Sequence, residues 1–368
     1  MDRRSFLKTT TRISAAGALG YWSGPVLAQS APWTDGTHWR SFEVTTRVEV
    51  AKPEGVTRVW LPLPLAADTD WIRTFDNGWS GNATSVKLVP FSEYDAALMY
   101  AEWPAGTERP QIEVASRFAT RDRAVDWSKA GTAAPVERAV LARYLAPTEH
   151  IPIDGIVRDT SRKVTKGARD EMAKAHAIYD WIVNNAFRDP KTRGCGIGDI
   201  KAMLESGNLG GKCADLSALF VGLARAAGVP ARDVYGVRVA PSQWGYKSLG
   251  AGSSDITRAQ HCRAEFYSSA FGWIPVDPAD VRKVMLEEPP GNLSVLDEKV
   301  RLARAKLFGA WEMNWLAYNF AQDLQLPSSS SEKLGFLMYP QCETAAGRID
   351  SLDPDHFEYR ISAREVTA

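Results

Sequence analysis

Gly210-Gly211-Lys212-Cys213-Ala214-Asp215-Leu216-Ser217-Ala218-Leu219-Phe220 reads as a glycine turn that delivers a cysteine to the first turn of a helix. From Leu216 the apolar residues recur at helical spacing (Leu216, Leu219, Phe220, Leu223, Ala227), so one face is built to be buried. Gly228 and Pro230 then supply the stop. A thiol in a first helical turn feels the positive end of the helix dipole and unspent backbone N–H groups, both of which favour thiolate. The same N–H groups can serve a developing oxyanion. Taken alone, Cys213 fits a small buried hydrophobe equally well, so the rest of the chain decides its role.

Two downstream segments bear on that choice. His261-Cys262-Arg263-Ala264-Glu265-Phe266-Tyr267 and Trp273-Ile274-Pro275-Val276-Asp277 both alternate as strands do. His261, Arg263 and Glu265 then share one face, and Cys262, Ala264 and Phe266 the other. A hairpin turning around Ser269 sets His261 directly opposite Asp277, with Cβ atoms about 4.5–5.5 Å apart. A slip of two residues keeps both on one face, whereas a slip of one separates them. Cys262 points into the core, which leaves Cys213 as the nucleophile. A helix-start thiol, a histidine and an acid to orient it are the parts that thiol catalysis requires.

These residues resemble the transglutaminase-like superfamily, a papain-like thiol fold. The likeness lies in Gly-Gly-Lys-Cys213-Ala-Asp, in Leu223-Ala-Arg225-Ala-Ala-Gly228-Val-Pro230-Ala-Arg232, in His261 with Glu265 on its strand, and in Gly272-Trp273-Ile-Pro-Val-Asp277-Pro278. It covers about residues 165–285. It implies an α+β fold with a papain-like core and a Cys213–His261–Asp277 triad. The implied reaction is thioester acyl transfer on amide bonds of peptides or proteins, of peptidase, amidase or transglutaminase type. An aromatic residue commonly stands two positions after the histidine in that family. Here Arg263 does, either to select an anionic substrate or, the preferred reading, to pair with Glu265. The Cys213 backbone N–H is one oxyanion donor, and Asn208 or Gln260 could add a side-chain amide. Asn208, Gln260, Arg263 and Trp273 are the candidate substrate-side residues. No cofactor is implied, and the calcium that some animal relatives need has no recognisable loop here. Two rival readings remain open: an inactive peptide-binding module on the same fold, and an interaction protein whose β module docks a partner.

The surrounding chain divides as follows. Asp2-Arg3-Arg4-Ser5-Phe6-Leu7-Lys8, an apolar run and Val26-Leu27-Ala28 make residues 1–28 a twin-arginine export leader. Residues 38–120 alternate in short strands and form a small β-sandwich, similar to the immunoglobulin-like segment that often precedes this core in exported bacterial relatives. Residues 121–160 are a connector, 161–290 the catalytic core, and 291–368 an extension packing on it. In that extension, Trp311 and Trp315 are four apart and read as a buried helix stripe. Pro241–Thr257 is Gly/Ser-rich and long enough for an active-site loop.

The bulk numbers exclude some partners. With 44 basic and 44 acidic residues in 368, the formal net charge is zero, so no nucleic-acid footprint exists. No apolar run of about eighteen residues follows the leader, so stable membrane insertion is not expected. Cys195, Cys213, Cys262 and Cys342 lack the C-x-x-C pairs of a zinc site; Cys195, Cys213 and His261 leave only a weak case for a Cys/His cluster, and no metal is expected. Export makes peptides, including cell-wall peptide stems, sensible substrates. The sequence leaves hydrolysis against transfer, disulfide formation and oligomeric state open.

Overall fold

The strand Arg40–Val50 buries Phe42, Val44, Val48 and Val50 on alternate positions. It runs antiparallel to Gln111–Thr120 on one side and to Phe357–Val366 on the other. Ile72–Gly81 completes this four-stranded sheet. A five-stranded sheet faces it, in the order Gly347–Ile349, Gln341–Thr344, Thr57–Pro62, Ala96–Trp103 and Ser85–Phe91. The two share a core that includes Val48, Val59, Met99, Trp103, Val114 and Cys342. The computed structural model describes residues 38–366, and the expected leader lies outside them. Strands of the C-terminal extension, Gln341–Thr344, Gly347–Ile349 and Phe357–Val366, thus enter both N-terminal sheets. The first strand's outer edge carries unpaired backbone groups, and Phe357–Val366 satisfies them.

The second layer system is a four-stranded antiparallel sheet, ordered Gly272–Val276, Gln260–Ser268, Ala231–Arg238 and Trp315–Asn319. The helix Cys213–Ala226 packs on it, burying Leu216, Leu219, Phe220 and Leu223 against Phe266, Ile274 and Val276. Each such side chain contributes about 1.5–3 kcal/mol relative to leaving it in water. One apolar face was expected for this helix, yet every residue from Cys213 to Arg225 is buried. The reason is a second cover: Gly155–Val164, Glu171–Asn185 and Ile200–Ser206 pack on the far side.

Two expectations shift. The hairpin pairs Ser268 with Gly272 and Ala264 with Val276, so it turns about Ala270 rather than Ser269. His261 and Asp277 are therefore offset by two residues and remain on one face. Trp311 and Trp315 belong to the strands Ala310–Trp311 and Trp315–Asn319, not to a helix. Although they lie on different strands, both are fully buried, with ring centroids 5.8 Å apart. Among the described residues no helix is long and apolar enough to cross a membrane.

Candidate active site

The Cys213 helix begins with Lys212 extended as its N-cap and Asp215 in its first turn. One Asp215 oxygen accepts the Lys212 N–H (3.0 Å), and the other accepts Ile197 N–H (3.1 Å) and Gly198 N–H (3.0 Å). This carboxylate therefore ties the Gly194–Gly198 loop to the helix start. Two glycines exist to let it in: a Cβ on Gly196 would lie 1.9 Å from Asp215 Oδ2, and one on Gly211 2.5 Å from Asp215 Cβ. Gly196 also sits at φ +90°, where a side chain is strained. The tied loop in turn places Cys195. Its carbonyl takes the Ala214 N–H at 2.9 Å. The Cys213 N–H meets no acceptor among the described residues, the condition an oxyanion donor needs.

His261 stands at the start of its strand, and its Nε2 lies 2.8 Å from Asp277 Oδ2. Asp277 caps the helix Pro278–Glu287 by accepting the Asp280 N–H at 2.8 Å, with Pro278 in the first helical position. Asp280 approaches the same Nε2 at 3.4 Å and accepts from Arg238 at 2.6 Å. Arg263 comes within 3.5 Å of Asp277. All five side chains are buried. Two guanidinium ions match two carboxylates, so a thiolate–imidazolium pair adds no net charge to the cluster. Two tryptophans fix the backbone: Trp315 Nε1 donates to the His261 carbonyl (3.1 Å) and Trp311 Nε1 to the Val276 carbonyl (3.2 Å).

The electrostatics follow from these contacts. Burial and Arg238 oppose protonation of His261, but Asp280 and Asp277 outweigh them and raise its pKa to about 9. Burial also opposes ionisation of Asp280, yet Arg238 and His261 hold it well below the usual carboxylate range. Cys213 is pulled well below the usual thiol value, chiefly by the Cys195 thiol, then by Cys262, with His261 adding to them against burial. Cys195 and Cys262 are raised correspondingly and stay thiols.

Cys213 and His261 both line a cavity of about 1120 Å³, together with Cys195, Gln260, Arg238 and Tyr339. Lys212 and Cys213 line it from the helix start. One wall is Gly250–Gln260, part of the Gly/Ser-rich loop, which is pinned to the last strand by Ile256 N–H to the Ile361 carbonyl (2.8 Å) and Ala363 N–H to the Ser254 carbonyl (2.9 Å). Of the three expected catalytic residues, His261 and Asp277 are in hydrogen-bond contact. Cys213 shares the cavity with His261 but forms no hydrogen bond to it among the described residues. With Nε2 held by Asp277, Nδ1 is the ring nitrogen left for the thiol.

The other expected residues separate. Gln260 lines the cavity, and its buried Nε2 has no partner among the described residues. Asn208 is exposed, accepts the Gly210 N–H at 3.0 Å and lies outside the cavity wall. Trp273 packs against Tyr144 and Tyr267 and under the Arg232 guanidinium, also away from the cavity. Arg263 does not pair with Glu265. Glu265 is held by Arg232 (2.5 Å) and Arg123, whereas Arg263 donates to the Glu312 carbonyl (2.9 Å) and stacks over Trp315 at 4.6 Å. Burial lowers the Arg263 pKa to about 10. Arg263 thus stands behind Asp277, closed off from substrate.

The donor atoms of His261, Asp277 and Asp280 lie within 4.8 Å of one another, close enough for a metal ion. His261 Nε2 is already engaged by Asp277 and Asp280 Oδ1 by Arg238, which leaves Asp280 Oδ2 as the oxygen without a partner among the described residues, so this set suits proton transfer better. Sequence reasoning gave no role in the site to Arg238, Asp280, Trp311, Trp315 or the Asp215 carboxylate. Asp280 had a local signal, an acid three residues after an Asp-Pro helix start.

Comparison with known proteins places these residues in context. A transglutaminase-like superfamily model matches residues 158–278, the stretch that holds Cys213, His261 and Asp277. An uncharacterized protein of Haemophilus influenzae is 33% identical over 369 aligned positions, covering 96% of this chain and 98% of that protein. The crystal structure of a candidate cysteine protease from Cytophaga hutchinsonii covers 89% of this chain and 99% of its own at 15% identity, with a TM-score of 0.50, a likeness of fold alone. Residues 158–278 thus form a transglutaminase-like superfamily core within this chain.

Proposed function

We propose that this protein is a thiol-dependent acyl-transfer enzyme acting on amide bonds of peptides or proteins, exported by its twin-arginine leader. The observation that carries the reading is the 2.8 Å contact of His261 Nε2 with Asp277 on the wall of a cavity that Cys213 also lines. In this reading His261 Nδ1 holds the Cys213 proton, and the thiolate attacks the amide carbon. The carbonyl oxygen takes the negative charge, facing the Cys213 N–H and the unpartnered Gln260 amide. The imidazolium, kept in place by Asp277, returns its proton to the leaving amine as the C–N bond breaks, leaving a thioester. Water resolves the thioester by hydrolysis, and an amine acceptor resolves it by transfer. Peptides of the cell wall suit an exported enzyme of this kind.

The missing Cys213–His261 hydrogen bond favours a second reading, a peptide-binding module without turnover. Iodoacetamide alkylation of the native, reduced protein, followed against pH and mapped by peptide mass, separates the two. Labelling of Cys213 with an apparent pKa well under the free value of about 8.5, lost in His261→Ala, supports the enzyme. Labelling no faster than that of Cys342, or none, rejects it in favour of the binding module.

A further inference from the structure

A chain with no formal net charge still concentrates basic groups around Cys213. Five stretches of the chain bring Arg188, Arg193, Lys212, Arg258, Lys283 and Arg360 to the cavity wall, whereas among the described residues Asp255 and Glu358 are its only carboxylates. Neutralisation is incomplete. Arg188 and Lys283 share the single carboxylate of Glu287, with Lys283 at 3.7 Å. Arg193 is paired with Asp350 (2.6 Å) and Arg238 with Asp280. Lys212, Arg258 and Arg360 form no ion pair among the described residues, and Arg258 and Arg360 are exposed. Asp255 accepts the Thr257 hydroxyl at 2.7 Å and N–H at 3.0 Å, and its charge also feels Arg360 and Arg258, so one carboxylate stands against two guanidinium groups. A concave, partly desolvated wall of one sign focuses its field on whatever enters.

We infer that this cavity selects an acyl donor that carries carboxylates, an acidic peptide, with Lys212 beside the thiol and Arg258 and Arg360 on the facing wall. The inference rests on the proposed thiol chemistry at Cys213 and adds the class of substrate to it. The carboxylates of such a peptide replace counterions at groups the fold leaves unpaired. A neutral or basic peptide would find no equivalent partner there.

Two electrophiles of nearly the same shape test this without a known substrate. Iodoacetate is an anion and iodoacetamide is neutral; each forms one S–C bond with the Cys213 thiolate and releases iodide. The ratio of their rate constants, measured on the full reduced chain at low salt and divided by the same ratio for free cysteine, is expected to be about 10 or more. It should fall toward 1 in Arg258→Gln/Arg360→Gln, in Lys212→Gln, and in about 0.5 M salt, where the Debye length is only a few ångströms. Reading each variant against its own iodoacetamide rate removes differences in folding. Hexaglutamate should slow iodoacetamide labelling of Cys213, and hexaglutamine should not. A ratio near 1 in the wild type overturns the inference while leaving the thiol reading intact. A high ratio unmoved by the arginine substitutions also overturns it, because His261 alone would then be the attracting charge. Equal effects of the two peptides overturn the assignment to acidic peptides. If neither reagent labels Cys213, the thiol reading fails first and the substrate inference falls with it.

Discussion

His261 Nε2 and Asp277 Oδ2, both buried, lie 2.8 Å apart, and the same carboxylate caps the helix that follows it. One residue therefore has two separable duties, orienting an imidazole and starting a helix. Asp277→Asn keeps the shape and an acceptor oxygen for the Asp280 N–H but removes the charge that favours imidazolium. The His261 pKa should drop from about 9, and iodoacetamide labelling of Cys213 near pH 6.5 should slow by about tenfold or more, since each unit of pKa is worth about 1.4 kcal/mol. An unchanged labelling profile in a folded variant would leave Asp277 with the helix cap alone.

Cys195 gives a second handle on the same thiol. It lines the cavity beside Cys213; its S–H donates to the Gln260 carbonyl at 3.4 Å and, turned to the thiolate, is the leading influence holding the Cys213 pKa down. Cys195→Ala removes that donor and should move the alkylation profile of Cys213 to higher pH by about one unit, the worth of a hydrogen bond to a charged group. Cys195→Ser retains a donor and should move it less. Equal shifts in the two variants would assign the effect to packing.

Much of this site was legible because its parts obey local rules. Cys213 announces itself by a glycine turn before a helical stripe, and His261 and Asp277 by strand alternation, which survives a two-residue error in register. That error arose because Ser268 and Ser269 both suit a turn, whereas the left-handed residue that closes the loop is Gly272, at φ +73°. What was not legible are partners brought in from afar. Arg238 and Asp280 are 42 residues apart, and Trp315 holds the His261 carbonyl across 54. No spacing rule links such positions. Arg263 was misread for a related reason: Glu265 shares its face, but Arg232 on the neighbouring strand reaches Glu265 first.

The buried cluster also makes stability depend on pH. His261 is raised from 6.5 to about 9 by Asp280 and Asp277 acting against burial and Arg238. A raised folded-state pKa stabilises the protein fully below the unfolded value, and that contribution is lost as pH climbs through the folded value. Between about pH 6.5 and 9 the His261 term should therefore cost up to about 3 kcal/mol. Cys213 titrates with the opposite sign, so the comparison is best made in a Cys213→Ala background, whose partners for His261 are unchanged. Urea unfolding of Cys213→Ala should weaken across that range, and Cys213→Ala/His261→Gln should show a flatter profile. Parallel profiles would mean that His261 enters the fold neutral.

The Asp215 clamp supplies the last test, because it connects a stability change to the site. Its carboxylate accepts the N–H groups of Lys212, Ile197 and Gly198. Asp215→Ala strands three polar groups in a mostly buried turn and should cost about 2–4 kcal/mol of unfolding free energy, since each orphaned donor costs about 1–3 kcal/mol and water recovers part of it. Gly196→Ala should cost a similar amount for the converse reason. Its methyl would overlap the carboxylate, and φ +90° is strained for any side chain. The two effects should not add, because each variant breaks the same tether, so the double variant should lose clearly less than the sum of the single losses. The tether also sets Cys195 beside Cys213, so both variants should raise the pH at which Cys213 is alkylated, as Cys195→Ala does. Additive losses with an unmoved alkylation profile would make Asp215 a local anchor with no hold on the thiol.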